Sequence, residues 1–425
     1  MATLVIEGGK RLEGRVAVDG NKNAALPLLA ACLLTEHECV LENAPRIRDV
    51  AVMAELLQSL GAEVEGIGSA TLRVRCGEVT SDEPDPRLVG RLRGSVLLLG
   101  PLLARRGRAR LPEPGGDFPS RRGIGTHLQA LLAMGVRRAP GAEHVLEAPD
   151  GLRGGSIYLD EASVTGTETG LLAAAAARGR SEIRHAACEP HVVELCRFLS
   201  AMGAGVEGTG SPCLRVEGSE RLGGAQQRLG GDYVEAGSWA VVAAITGGQV
   251  EIEGARGEDV EVIAAALRRL GVVCEVEGDR FRVLESKLRA GGRITTGVWP
   301  GFPTDMVSLI TVLATQAEGS TLVHDWMYEL RLFALEQLSG MGADLFLCDP
   351  HRIIVSGPRR LRARSLDSRD IRSGMAVIAA ALAAEGTSEV APLETVERGY
   401  AQLVERLQGL GGRVWRREGE REGAR

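Results

Sequence analysis

What this 425-residue chain lacks narrows its reading before any motif is considered. Aromatic residues make up 3% of it, too few for the repeated stacking platforms that hold single-stranded nucleic acid. Basic residues do not predominate: 50 Lys and Arg stand against 56 Asp and Glu, a formal net charge of −6. That argues against a general nucleic-acid binder, while leaving room for a local arginine cluster around a small anion. No uninterrupted apolar run reaches the ~18 residues of a membrane-crossing helix, and the first ten residues lack the apolar stretch of a signal peptide. The eight cysteines (Cys32, Cys39, Cys76, Cys188, Cys196, Cys213, Cys274, Cys348) include no C-x-x-C pair, so zinc and dithiol motifs are not expected. Several lie in apolar runs, and the simplest reading is reduced core thiols in a cytoplasmic protein. Nucleophile-elbow, Walker A and H-E-x-x-H patterns are missing, and the glycines from Gly151 to Gly155 do not fit a dinucleotide fingerprint.

What is present is a globular composition, 44% hydrophobic and 25% charged, long enough for two large domains or several small ones. A repeat organises it. An amphipathic helix ending in Leu-Gly or Met-Gly recurs at Gly61, Gly135, Gly203, Gly271, Gly342 and Gly411, at steps of 68 to 74 residues. The glycine can take positive φ and stop the helix, and the alternating residues that follow predict a half-buried strand. Before each such helix comes an alanine-rich apolar helix, as in 24–34, 171–177, 239–245, 306–314 and 375–384. Each unit reads as strand, helix, strand, helix, strand, strand, and six of them suit two pseudo-symmetric domains of three. Gln226 to Asp232 reads as a hinge, Arg105 to Leu111 as a basic strand, and the charged segment from Arg413 as a tail frayed at its end.

The chemistry-bearing residues sit in loops at the ends of these elements. The loop Pro114-Gly115-Gly116-Asp117-Phe118-Pro119-Ser120-Arg121-Arg122-Gly123 holds one carboxylate and two arginines. It is either a solvated surface excursion or a segment that binds an anion and moves a proton. Gly20-Asn21-Lys22-Asn23 opens the first alanine-rich helix, where a Lys beside free backbone donors makes an anion site, or is a solvated Lys beside a cap. Arg93 precedes another apolar run. Thr304 or Asp305, in Gly301-Phe302-Pro303-Thr304-Asp305, caps a helix on local grounds, although a carboxylate there could accept a hydroxyl proton. Arg331, Arg372 (after Asp370) and Arg398 occupy turns of later units. With Lys22 and Arg122 they would place five cations on corresponding loops, about what a ligand carrying phosphate and carboxylate requires. His127 is a phosphate contact or a structural histidine.

In combination, the six repeats, Gly-Asn-Lys-Asn, Pro-Gly-Gly-x, Gly-Phe-Pro-Thr-Asp and Glu-Arg-Gly-Tyr resemble the UDP-N-acetylglucosamine 1-carboxyvinyltransferases, from about Ile6 to Arg413. The related shikimate-pathway enzymes carry Asp-Lys-Ser where this chain has Asn-Lys-Asn. The resemblance implies a two-domain inside-out α/β barrel. Residues 22–229, carrying the lid loop 112–123, would form one domain and 1–21 with 230–425 the other, with the active site in the cleft between them. It implies transfer of the enolpyruvyl group of phosphoenolpyruvate to the 3′-hydroxyl of UDP-N-acetylglucosamine with release of phosphate, the first committed step of peptidoglycan precursor synthesis. Lys22, Arg122 and Arg398 match phosphate-binding positions, and Arg331 and Arg372 carboxylate-binding ones. Asp305 matches the group on the sugar hydroxyl. Asn23, Arg93, Ser163, Val164, Met327 and Asp370 fall among the substrate-binding positions. No cofactor or metal is implied, because arginines supply the countercharge. Nucleic acid, membrane insertion and an obligate protein partner are not expected.

Two departures stand out. The family usually has Cys where this chain has Asp117, so the expected proton donor is a carboxylic acid, and the thiolate that fosfomycin alkylates is missing. The family's Arg-Pro-Val-Asp-Leu-His run, which holds the uracil, is Arg122-Gly123-Ile124-Gly125-Thr126-His127 here. A different acceptor, or a non-catalytic paralogue that binds a nucleotide sugar, are the alternatives. Lys22, Asp305, Arg331, Arg372 and Arg398 together favour chemistry over mere binding.

Overall fold

Alanine-rich helices flanked by short alternating strands can bury only if the helices go inside and the sheets outside, and each half of the chain is built that way. The computed structural model describes residues 1–115, 123–329 and 331–418. They divide into two compact units, Met1–Val18 with Gly231–Arg425 and Asp19–Gly230. In the first unit the helices Tyr233–Ile245, Val307–Ala314 and Ile371–Ala383 pack on one another. Every residue of Tyr233–Ile245 is buried, which suits a helix apolar on all sides. In the second unit Lys22–Ala31, Leu99–Arg106 and Val164–Ala175 fill the same role. Small side chains let these backbones approach closely, and amphipathic helices such as Arg48–Ser59 and Gly257–Arg269 cover them with one apolar face.

Among the described residues the strands form six sheets, five of four strands and one of three, divided equally between the units. In each four-stranded sheet one edge strand runs parallel to its neighbour, and in four of the five the amphipathic helix is followed by an antiparallel hairpin. Strands such as Thr71–Arg75 alternate exposed and buried residues, with the buried face on the helices. All six repeat glycines have positive φ, between 83° and 108°, and so end their helices as the sequence predicts.

Two pairings could not be read from local sequence. Glu13–Ala17 lies parallel to Gln249–Glu253, and Gln226–Arg228 parallel to Cys39–Glu42. The leading strands of the first and fourth repeats are exchanged, so the chain changes unit near residues 18 and 230. The stretch read as a hinge is therefore a strand followed by Asp232, the cap of helix Tyr233–Ile245. The N-terminal strand Ala2–Glu7 lies antiparallel between Thr387–Ala391 and Arg413–Glu418 and completes the last repeat. The charged C-terminal segment is thus a sheet edge as far as Glu418, with Arg413 paired to Glu7. Arg105 and Arg106 belong to the helix Leu99–Arg106 rather than to a strand, and the strand itself is only Arg108–Arg110. No helix among the described residues is long and apolar enough to cross a membrane.

Candidate active site

The first N–H groups of a buried helix need partners, and polar residues cluster where most of the buried helices begin. At Lys22–Ala31 the cap is Asn21, whose side chain accepts from the Asn23 N–H at 2.8 Å. A Cβ on Gly20 would lie 1.8 Å from the Asn43 carbonyl oxygen, so only glycine fits before this cap. Lys22, on the first turn, is not a solvated lysine. Its Nζ lies 2.6 Å from Asp49 Oδ2, with side chains 14% and 3% exposed. Asp49 sits in the first turn of Arg48–Ser59. A lysine held this way is a preset cation, its charge balanced until an anion competes for it.

In the same unit, Ser163 caps Val164–Ala175 by accepting from the Gly166 N–H at 3.2 Å, and Val164 is the first helical residue. One residue on, the Thr165 hydroxyl lies 3.0 Å from His127 Nε2. His127 is buried on the helix Gly125–Leu132. Burial, reinforced by the Arg93 guanidinium and only partly offset by the Ile124 carbonyl, lowers its pKa to about 4. At neutral pH the ring is uncharged. In this neutral form His127 meets a ligand as a hydrogen-bonding group rather than as a cation. Arg93 begins the turn Arg93–Leu98 and donates through Nη2 to the Gly123 carbonyl at 3.0 Å, which ties it to the end of the loop carrying Asp117 and Arg122. Those two residues lie outside the described ones. At the loop's start the Gly115 N–H donates to the Val89 carbonyl at 3.1 Å.

In the other unit, Asp305, Arg331 and Arg372 come together. Arg331 Nη1 lies 3.0 Å from Asp305 Oδ1, and Arg372 Nε 3.4 Å from Asp305 Oδ2. The capping role read from local sequence is not taken up: Pro303 precedes the short turn Thr304–Met306 and no side chain caps it. Thr304 instead donates to Asp325 Oδ2 at 2.8 Å and accepts from Arg331 Nη1 at 3.2 Å. Asp325 is fully buried and also accepts from the Thr296 hydroxyl at 2.8 Å and the Met327 N–H at 3.3 Å. Asp370 caps Ile371–Ala383, accepting from the Arg372 and Ser373 N–H groups at 2.8 and 3.0 Å. Burial opposes the charge on Arg331, but Asp305, Asp325, Tyr328 and Asp370 outweigh it and hold its pKa above the ordinary value. Arg372 is raised in the same way: its 7% exposure is offset by Tyr400, Asp305 and Asp232. Arg398 is half-buried and ends the helix Leu393–Glu397.

The cations do not share one corresponding loop. Lys22 and Arg372 lie in the first turn of buried helices. Arg331 and Arg398 lie between a repeat's second strand and its second helix, Arg122 holds the same place in chain order, and Asp49 lies in the first turn of its repeat's second helix. Asp49, Asp232, Asp325 and Tyr400 were not singled out from sequence. Asp49 had a signal, a carboxylate on the buried stripe Asp49, Met53, Leu56, Leu57. Asp325 had none, because its partners come from distant segments.

Comparison with known proteins bears on what this arrangement does. The family model for EPSP synthase (3-phosphoshikimate 1-carboxyvinyltransferase) matches residues 6–407. The chain is 44% identical over 420 residues to the UDP-N-acetylglucosamine 1-carboxyvinyltransferase of Bradyrhizobium diazoefficiens, covering 97% of each chain. With that of Treponema denticola it shares 42% over 422 residues, 97% of this chain and 99% of the relative. Among solved structures, the enolpyruvyl transferase NikO from Streptomyces tendae superimposes with a TM-score of 0.87 at 25% identity over 98% of both chains. An EPSP synthase from Acinetobacter baumannii, at 19% identity, shares the fold with a TM-score of 0.75 over 98% of this chain and 100% of that one.

Proposed function

The chain belongs to the EPSP synthase family of enolpyruvyl transferases, and from that premise we propose that it transfers the enolpyruvyl group of phosphoenolpyruvate to the 3′-hydroxyl of UDP-N-acetylglucosamine. The observation that carries this reading is the convergence of Arg331 and Arg372 on Asp305. Two guanidinium groups suit a substrate carboxylate, and a carboxylate beside them suits a hydroxyl that must lose its proton. The relatives that are 42–44% identical carry this reaction in their names, which supports UDP-N-acetylglucosamine as the acceptor.

In the proposed reaction Arg331 and Arg372 bind the carboxylate of phosphoenolpyruvate, while Lys22, Arg122 and Arg398 bind its phosphate. Asp117 delivers a proton to the methylene carbon, which becomes a methyl group and leaves the adjacent carbon electrophilic. The sugar hydroxyl oxygen attacks that carbon as Asp305 takes its proton, giving a tetrahedral ketal. Loss of a methyl proton re-forms the double bond, and the carbon–oxygen bond to phosphate breaks. Asn23, Arg93, His127, Ser163, Val164, Met327 and Asp370 position the substrates, with His127 in its neutral form. Asp305 bridges the two arginines and balances one of their two charges. An arriving carboxylate offers them a second anion and frees Asp305 lone pairs for the hydroxyl proton. Eight free cysteines fit a reducing compartment, and we place the enzyme in the cytoplasm, at the first committed step of peptidoglycan precursor synthesis.

The test is phosphate release from phosphoenolpyruvate with a panel of acceptors. Release with UDP-N-acetylglucosamine, and its loss in Asp305→Ala, is expected. Release only with another acceptor would replace the substrate, and no release with any acceptor would leave a binding protein.

A further inference from the structure

We propose that Tyr400 and Ser238 are positioning residues for Arg372, and that their hydroxyl chain aims its guanidinium at the carboxylate of the substrate. This rests on the enolpyruvyl-transfer reading above. Tyr400 and Ser238 are both fully buried. Ser238 Oγ lies 2.7 Å from the Val234 carbonyl oxygen and 2.7 Å from Tyr400 Oη. Arg372 Nη1 lies 3.1 Å from the same Oη.

The protons in this chain can be assigned. A serine hydroxyl has one proton and a carbonyl can only accept, so Ser238 donates to Val234. The proton between the two hydroxyls must then come from Tyr400. The phenol therefore donates to Ser238 and turns a lone pair to Arg372, which can only donate. Burial raises the Tyr400 pKa, against the pull of Arg372 and Ser238, so the phenol keeps its proton and the order of the chain holds. The ring also lies beneath the cation, with its centroid 5.6 Å from Arg372 Cζ.

The guanidinium is rigid and planar. Fixing Nη1 on Tyr400 and Nε toward Asp305 fixes its plane and hence the direction of Nη2. The backbone around Tyr400 is fitted to this contact. A Cβ on Gly399 would lie 2.5 Å from Ile371 Cγ2, so glycine lets this turn settle against the start of helix Ile371–Ala383, where Arg372 is the second residue. Ser238 belongs to a different helix, Tyr233–Ile245, so the chain links two buried helices through one phenol.

A tyrosine that merely fills the core would need its ring and not its oxygen. Tyr400→Phe keeps the ring and removes the acceptor. In the full-length enzyme we expect its KM for phosphoenolpyruvate to rise about tenfold, the scale of one hydrogen bond to a charged group. KM for UDP-N-acetylglucosamine should stay within about twofold of wild type, because the bond faces the other substrate. Ser238→Ala frees the phenol to turn and should produce a smaller rise of the same kind. The double variant should match Tyr400→Phe alone, since both substitutions act through one oxygen. An unchanged KM for phosphoenolpyruvate in Tyr400→Phe, an equal rise for both substrates, or additive single effects would overturn the inference. If Tyr400→Phe does not fold, Ser238→Ala decides alone by the same split. A wild-type enzyme that releases no phosphate would overturn the reading beneath it, whereas an active wild type with an indifferent Tyr400→Phe overturns only the positioning role.

Discussion

His127 gives a pH dependence whose sign and size follow from its surroundings. Its pKa falls from 6.5 to about 4 because burial, then the Arg93 guanidinium, disfavour the imidazolium. Below its unfolded pKa the unfolded chain binds a proton here that the folded chain does not, so stability is lost as pH falls from about 6.5 through about 4. The loss is about 2 kcal/mol at pH 5 and about 3 kcal/mol once both forms are protonated. His127→Gln cannot titrate, and its pH-independent cost cancels when one variant is compared with itself at two pH values. All four tryptophans (Trp239, Trp299, Trp326, Trp415) lie in the unit that does not contain His127. Intrinsic fluorescence would follow the wrong half, so the assay is hydrogen exchange of the amides in Gly125–Leu132. Wild type should lose about 2 kcal/mol of protection between pH 7 and pH 5, after correction for intrinsic exchange, that His127→Gln retains. An NMR titration compared with the same variant should show the His127 ring neutral down to about pH 4. A midpoint near 6.5, or identical pH dependence in the two proteins, would refute the reasoning.

Three further outcomes can be checked. Asp117→Asn should abolish phosphate release, wild type should resist fosfomycin, and Asp117→Cys should become sensitive to it; inactivation of the wild type at the rate of a Cys enzyme would sink the acid role of Asp117. Gly399→Ala should cost about 1–3 kcal/mol in chemical denaturation by overpacking against Ile371, and an unchanged midpoint would show that the turn can yield. Glu168 is buried on Val164–Ala175, and burial, then Glu189, hold its pKa well above the carboxylate range. A raised folded pKa means that the stability it contributes is present below the unfolded value of 4.5 and is lost as pH rises toward the folded one. Glu168→Gln should therefore gain in melting temperature over wild type as pH rises from 5 to 8, and a constant difference between the two would count against a buried neutral acid.

The repeat was legible because its signal is local. A helix of one face, a glycine that must take positive φ, and an alternating strand follow one another within a few residues. The exchange of Glu13–Ala17 and Gln226–Arg228 between sheets was not, because parallel neighbours need no turn between them and their partners lie more than 180 residues away. The same limit shaped the site. Loop arginines announce themselves by type, but the carboxylates that hold them do not. Asp49 reads as an acid in a helix's first turn, where the dipole alone would favour it, and its hold on Lys22 depends on how two helices pack.

Asp305 shows what decides such cases. Its local sequence, Pro303-Thr304-Asp305 ahead of an apolar helix, favours a cap, and a cap contributes roughly 1 kcal/mol. Arg331 and Arg372 each offer a hydrogen bond between charged groups, on the order of 1.5–3 kcal/mol apiece. Once tertiary folding brings both within 3.4 Å, the carboxylate turns to them and the cap is forgone. Nothing within ten residues of Asp305 carries those cations, so a window read along the chain finds only the weaker partner. Thr304, the other capping candidate, is drawn away in the same manner, to Asp325. A helix start whose two best capping residues both face elsewhere is itself a marker of a functional turn, and here that turn holds the proposed base.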